Sequence, residues 1–212
     1  MTATAATPIM PTTTDRADFR TVTVGGAKLA AVTGAAVLVF ALVSGALPAG
    51  GARGAVQALL VLVLSPLIAF LPAHWVRPRS ADGVAATAAI GLCGTVGFTV
   101  IDIALLRPLN HVVTIYPWTW DDVGGGSSWW YLPVWWMLGT LVSWLGGLLI
   151  AARASGEEPS LFRSAGAVAI GALALGLVIR FVWAAVPLPL AVGGGFTVTL
   201  AALAVLALAR GK

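Results

Sequence analysis

KLAAVTGAAVLVFALVSGAL, residues 28–47, decides the fold class. One lysine opens the run and no charge follows it for 19 residues. A helix needs about 20 mostly apolar residues to cross the hydrocarbon of a bilayer. Five further stretches meet the same requirement: Ala55–Trp75, Gly83–Leu106, Trp130–Ala152, Phe162–Val186 and Leu188–Ala209. The expected architecture is therefore all-α, a polytopic membrane protein built as a bundle of six transmembrane helices. The links PAGGARG (48–54) and the one around Pro187 and Pro189 are very short. They make the first and second helices, and the fifth and sixth, antiparallel hairpins. The first span is expected to be retained rather than cleaved, because 27 residues containing acids precede it.

Composition agrees. Of 212 residues, 59% are hydrophobic and 9% charged, against about 25% charged in a soluble domain. The net charge is +4, but the basic residues are thinly spread between apolar runs. No basic cluster interleaved with aromatics exists, which argues against nucleic acid as a partner. The one cysteine, Cys93, lies in an apolar run and reads as a buried structural thiol. Residues 1–24, rich in Thr, Ala and Pro, read as a flexible cytoplasmic tail ahead of a 25–212 transmembrane domain.

Lysine and arginine orient the spans. With the N-terminus inside, Arg16, Arg20, Lys28, Arg77, Arg79, Arg153, Arg163, Arg210 and Lys212 fall on the inner side, and only Arg53 and Arg107 on the outer. The excess of positive charge inside places both termini in the cytoplasm of a bacterial cell, with the chain in the inner membrane.

The outer loop, 107–131, then carries the least ordinary surface. Six of the nine tryptophans fall between 118 and 136. Tyr116, Trp118, Trp120, Trp129, Trp130, Trp135 and Trp136 form either an aromatic belt at the headgroups or a docking surface for a partner. Pro133 fits the first turn of the fourth helix.

Small residues mark packing seams, since close approach drives helix association in lipid. Gly139, Ser143, Gly147 and Ala151 share one face of the fourth helix. The third helix has two such faces, Ala85–Ala89–Cys93–Gly97 and Gly91–Thr95–Thr99, and should touch two neighbours. Ala172, Gly176 and Arg180 align on the fifth.

Asp102 and Arg180 are the ionisable residues well inside the expected spans. A charge in hydrocarbon costs at least ~2.5–3.5 kcal/mol, so it is usually paired. Their similar depth suggests a structural ion pair between the third and fifth helices. A proton relay is the functional alternative, with Thr95 and Thr99 extending inward from Asp102. His111, Asp121 and Asp122 could ligate a divalent metal or act as acid and base, though their spacing matches no specific motif. Neither His74 nor His111 lies at mid-span, so haem or chlorophyll is not expected to be ligated by this chain. No nucleophile elbow, phosphate loop or dinucleotide fingerprint appears.

The expected function is a non-catalytic accessory or scaffold subunit of a larger membrane complex, of which an electron-transfer or light-harvesting assembly is one instance. Its partners would be membrane lipids and other membrane subunits, its only cofactors lipids or pigments held by those subunits. A small-solute or ion transporter or channel is the first alternative. A membrane enzyme with an outer His/Asp metal site is the second.

Overall fold

Asp18 starts the first helix. Its carboxylate accepts hydrogen bonds from the Thr21 N–H at 2.9 Å and the Thr21 hydroxyl at 2.7 Å, the N-cap arrangement that satisfies an orphan donor of the first turn. Those bonds hold the Asp18 carboxyl below its ordinary range. Because its folded-state value is depressed, the cap is formed above the usual carboxylate range and lost as pH falls through the lowered value. Asp18→Ala should speed amide exchange at Thr21 and leave the rest of the helix protected, as read by hydrogen–deuterium exchange.

The computed structural model of the protein describes residues 15–109, 131–154 and 160–210. They form six long helices: α1 (Phe19–Ala46), α2 (Gly51–Val76), α3 (Ala81–Ile101), α4 (Tyr131–Arg153), α5 (Leu161–Val182) and α6 (Leu188–Arg210). A π-helical turn, Asp102–Leu106, extends α3, so that this span runs to Leu109. All six are long and apolar enough to cross a membrane. The fold is all-α and fits a polytopic membrane protein.

Several boundaries differ from expectation, among them the start of the second helix at Gly51 rather than Ala55. Residues 19–24 belong to α1 rather than to a flexible tail. Their threonines looked non-helical, but Asp18 caps the turn and the Thr23 hydroxyl bonds back to the Phe19 carbonyl at 2.8 Å. The fifth helix stops at Val182, not Val186. Pro187 disfavours helical geometry at the residue before it, and Trp183–Val186 close a turn instead, with the Val186 N–H on the Trp183 carbonyl. The third helix passes Leu106 because the π turn carries it on.

α2 touches every other helix. Pro66 and Pro72 lie buried within it, tolerated because neighbouring helices cover the backbone they leave unbonded. α1 packs chiefly on α3, and α5 on α6. α4 fills the space between them, against α3, α2 and α6. The main core gathers Ala69 and Phe70 of α2, Leu145 and Leu149 of α4, Val168 and Ala172 of α5, and Phe196 and Leu200 of α6. The expected α5–α6 hairpin is thus a tightly packed pair, with Gly176 set against Val192 and Gly171 against Thr199. α1 and α2 are also neighbours, and the Arg53 Nε caps the end of α1 by donating to the Leu47 carbonyl at 2.8 Å. Gly50 makes that turn at φ 149°, where a side chain would be strained.

α3 packs on two neighbours, as its sequence implies, although Ala85 and Cys93 of the expected Ala85–Ala89–Cys93–Gly97 face are exposed. Toward α4, Thr95 lies against Gly139, Gly91 against Ser143 and Thr87 against Gly147. Toward α1, a methyl on Gly97 would sit 2.9 Å from the Ala30 Cβ, and one on Gly94 would strike Leu29. Cys93 is not buried. It is exposed on the bundle surface at the edge of the α1 seam, where its Cβ faces Gly26.

Candidate functional site

Among the described residues, the buried ionisable side chain is Asp102, at the end of α3. Asp102 is 3% exposed. Its carboxylate Oδ2 accepts from the Arg107 Nε at 2.9 Å. The two belong to one helix, joined across the π turn in which the Arg107 N–H bonds to the Asp102 carbonyl. π turns widen the backbone locally and recur at functional sites. Pro108 follows directly. It has no N–H and would crowd the carbonyl four residues back in an ordinary helix.

The expected Asp102–Arg180 pair does not form. α3 lies between α1 and α4, whereas Arg180 is on α5, whose main partner is α6. Similar depth did not place the two on facing helices. Arg180 lies in the last turn of α5, and its Nη1 donates to the Ala184 carbonyl. It ties down the turn that follows its own helix.

Inward from Asp102, the Thr99 hydroxyl accepts from the Trp136 Nε1 at 3.1 Å and donates to the Thr95 carbonyl at 2.9 Å. The Thr95 hydroxyl in turn bonds the Gly91 carbonyl at 2.7 Å. Each hydroxyl is satisfied four residues back along its own helix. Trp136 thus anchors the start of α4 on α3 as one polar pin in an otherwise small-residue seam.

Trp135 is 40% exposed beside it. Tyr116, Trp118, Trp120, Trp129 and Trp130, together with His111, Asp121 and Asp122, lie outside the described residues. Among the described residues no group of three His, Cys, Asp or Glu side chains could hold a metal ion.

One feature of α4 was not singled out in the sequence. Val134, Met137, Leu141 and Trp144 are all exposed and lie along one stripe at helical spacing. Trp144 is 13 residues beyond Tyr131, about 20 Å along the helix axis. That depth is far from the water boundary, where tryptophan finds partners for its N–H. Its indole N–H has no hydrogen-bond partner among the described residues. The signal was present as a Trp in the interior of an apolar run.

No family model, no curated protein and no solved structure matches this chain.

Proposed function

We propose that the protein is a non-catalytic accessory or scaffold subunit of a larger complex in a bacterial inner membrane. It docks through the tryptophan-rich stretch and the outer stripe of α4. The observation that carries this reading is Trp144. An indole N–H facing lipid at mid-depth forgoes its hydrogen bond, at a cost of about 1–3 kcal/mol. A second membrane protein seated on Met137, Leu141 and Trp144 would supply an acceptor and cover the stripe. In the sequence the stripe begins where the tryptophan-rich stretch ends. The excess of lysine and arginine at the N-terminal end supports cytoplasmic termini, which puts that stretch outside.

The seams support the same reading. Glycines and small hydroxyls bring α3 onto α1 and α4 at backbone distance, and the buried threonines Thr87 and Thr99 bond carbonyls of their own helix.

Photo-crosslinking tests the face in native membranes. A crosslinker at Met137, Leu141 or Trp144 should trap one stoichiometric membrane protein that copurifies in mild detergent. The same probe at Val178, exposed on α5, should not. Trp144→Ala should reduce copurification at least tenfold while leaving the bundle folded. Equal, diffuse labelling at all four positions would leave Trp144 facing only lipid and remove the docking reading.

A further inference from the structure

At the N-terminal end of the bundle, α1 and the end of α2 enclose a cleft of about 530 Å³. Four cationic side chains line it: Arg16, Arg20, Lys28 and Arg77. Among the described residues none of the four is in an ion pair. The one acid on the wall, Asp18, is committed to capping Thr21. Four unneutralised cations around one concavity repel one another unless an anion joins them.

The cleft is built, not a chance gathering of long side chains. The Arg16 N–H bonds the Val76 carbonyl at 3.0 Å. Asp15 accepts from the Arg79 and Ser80 N–H groups at 2.9 and 3.0 Å. These bonds fasten the segment before α1 across the α2–α3 turn, and Arg16 and Arg77 line the same cleft. Lys28 stands 5.9 Å from the centroid of the Trp75 ring, a cation–π contact that holds the ammonium at the cleft wall.

Arg77 itself occupies left-handed backbone, φ 55° and ψ 59°, as the C-cap of α2. Glycine is the residue that fits that conformation without cost. Among the described residues, Arg77 is the only one other than glycine with positive φ. A long cation held where glycine would suit the backbone better points to a task for its guanidinium, and guanidinium is suited to bidentate capture of phosphate.

The exposed face of α1 says which phosphate. Lys28 heads a stripe of exposed, apolar residues, Ala31, Ala35, Val39 and Leu42, that runs from the cleft into the span. A free anion would have no use for that stripe. A phospholipid would place its headgroup among the cations and lay an acyl chain along α1.

We infer that this cleft is a specific site for an anionic phospholipid, its phosphate held by Arg77, Arg16, Arg20 and Lys28. Basic pockets at the membrane-facing ends of spans recognise such headgroups by charge. The inference does not depend on the docking face of α4, which lies on a different helix.

The full chain in detergent micelles provides the test, by thermal unfolding with added phosphatidylglycerol, phosphatidylcholine or inorganic phosphate. Phosphatidylglycerol should raise the melting temperature in a saturable way, and the other two should not. A ligand that binds only the folded state stabilises it in this manner. Arg77→Gly relieves the backbone, so its melting temperature without lipid should be no lower than that of the wild type. It should nevertheless need at least tenfold more phosphatidylglycerol for half the rise, as should Lys28→Gln. Arg163→Gln, at the same end but outside the cleft, should respond as the wild type does. An equal rise with phosphatidylcholine would mean generic lipid solvation, and an equal rise with inorganic phosphate a soluble-anion site. An unchanged response in both Arg77→Gly and Lys28→Gln would place the lipid elsewhere. Each of these three results overturns the inference.

Discussion

Gly147→Leu should unfold or severely destabilise the bundle, with a melting temperature in detergent lower by roughly 6–12 °C for a loss of about 3 kcal/mol. Gly147 faces Thr87 so closely that even a single methyl would overlap its side chain. Thr87 is fully buried, and its hydroxyl is tied to the Val84 carbonyl at 2.6 Å, so it cannot swing aside without leaving a buried polar group unbonded. The neighbouring Gly146 sits over the Ala69 carbonyl of α2. α4 therefore cannot back away from α3 by sliding toward α2. The seam contact can be isolated from a general intolerance of large residues. Gly147→Ala should destabilise less than Gly147→Leu, and adding Thr87→Ala should recover part of that loss, a positive coupling that only contacting residues show. A melting temperature unchanged by Gly147→Leu would mean that α3 and α4 do not meet along this face.

That seam was legible because its signal is periodic and local. Small residues recurring every four positions on α4 and along two faces of α3 say that each helix has a close neighbour there, and the contacts Gly139–Thr95, Ser143–Gly91 and Gly147–Thr87 pair those faces off. The six spans were legible for a similar reason, since length and hydropathy state what lipid requires. What the pattern cannot carry is lateral order. Asp102 and Arg180 share a depth, but depth does not say which helices face each other, and α3 and α5 belong to different sides of the bundle. Among the described residues the partner of Asp102 is Arg107, five residues on, which in a regular α-helix lies about 140° around the axis. Only the π turn brings it to the carboxylate, and nothing but Pro108 hinted at that turn. Burial was misjudged at Cys93 because apolar runs in a membrane protein face lipid as often as core. The start of α1 was hidden by its β-branched threonines, although Asp18 followed three residues later by Thr21 was a readable cap.

The π turn makes an asymmetric prediction about Asp102 and Arg107. Arg107→Ala should destabilise the protein by about 2–3 kcal/mol, because it takes the charged partner from a carboxylate that is almost wholly buried. The figure lies below the full cost of stranding a buried ion, since neither residue is confined to this one interaction. Asp102→Asn should cost much less. The amide oxygen can still accept from the Arg107 Nε, and the Arg107 side chain, 31% exposed, reaches polar surroundings without its partner. The double variant should then be more stable than Arg107→Ala alone, because no buried charge is left to solvate. Arg180→Ala should change stability little, as it removes an exposed bond to the turn after α5 and leaves Asp102 untouched. Denaturation in detergent at neutral pH reads all four. Were Arg180→Ala as damaging as Arg107→Ala, the carboxylate would be drawing its support from α5 after all. Were Asp102→Asn the more damaging of the two, the charge itself would be wanted at the end of α3, and the polar pin of Trp136 on Thr99 would be the next group to test for a role beyond packing.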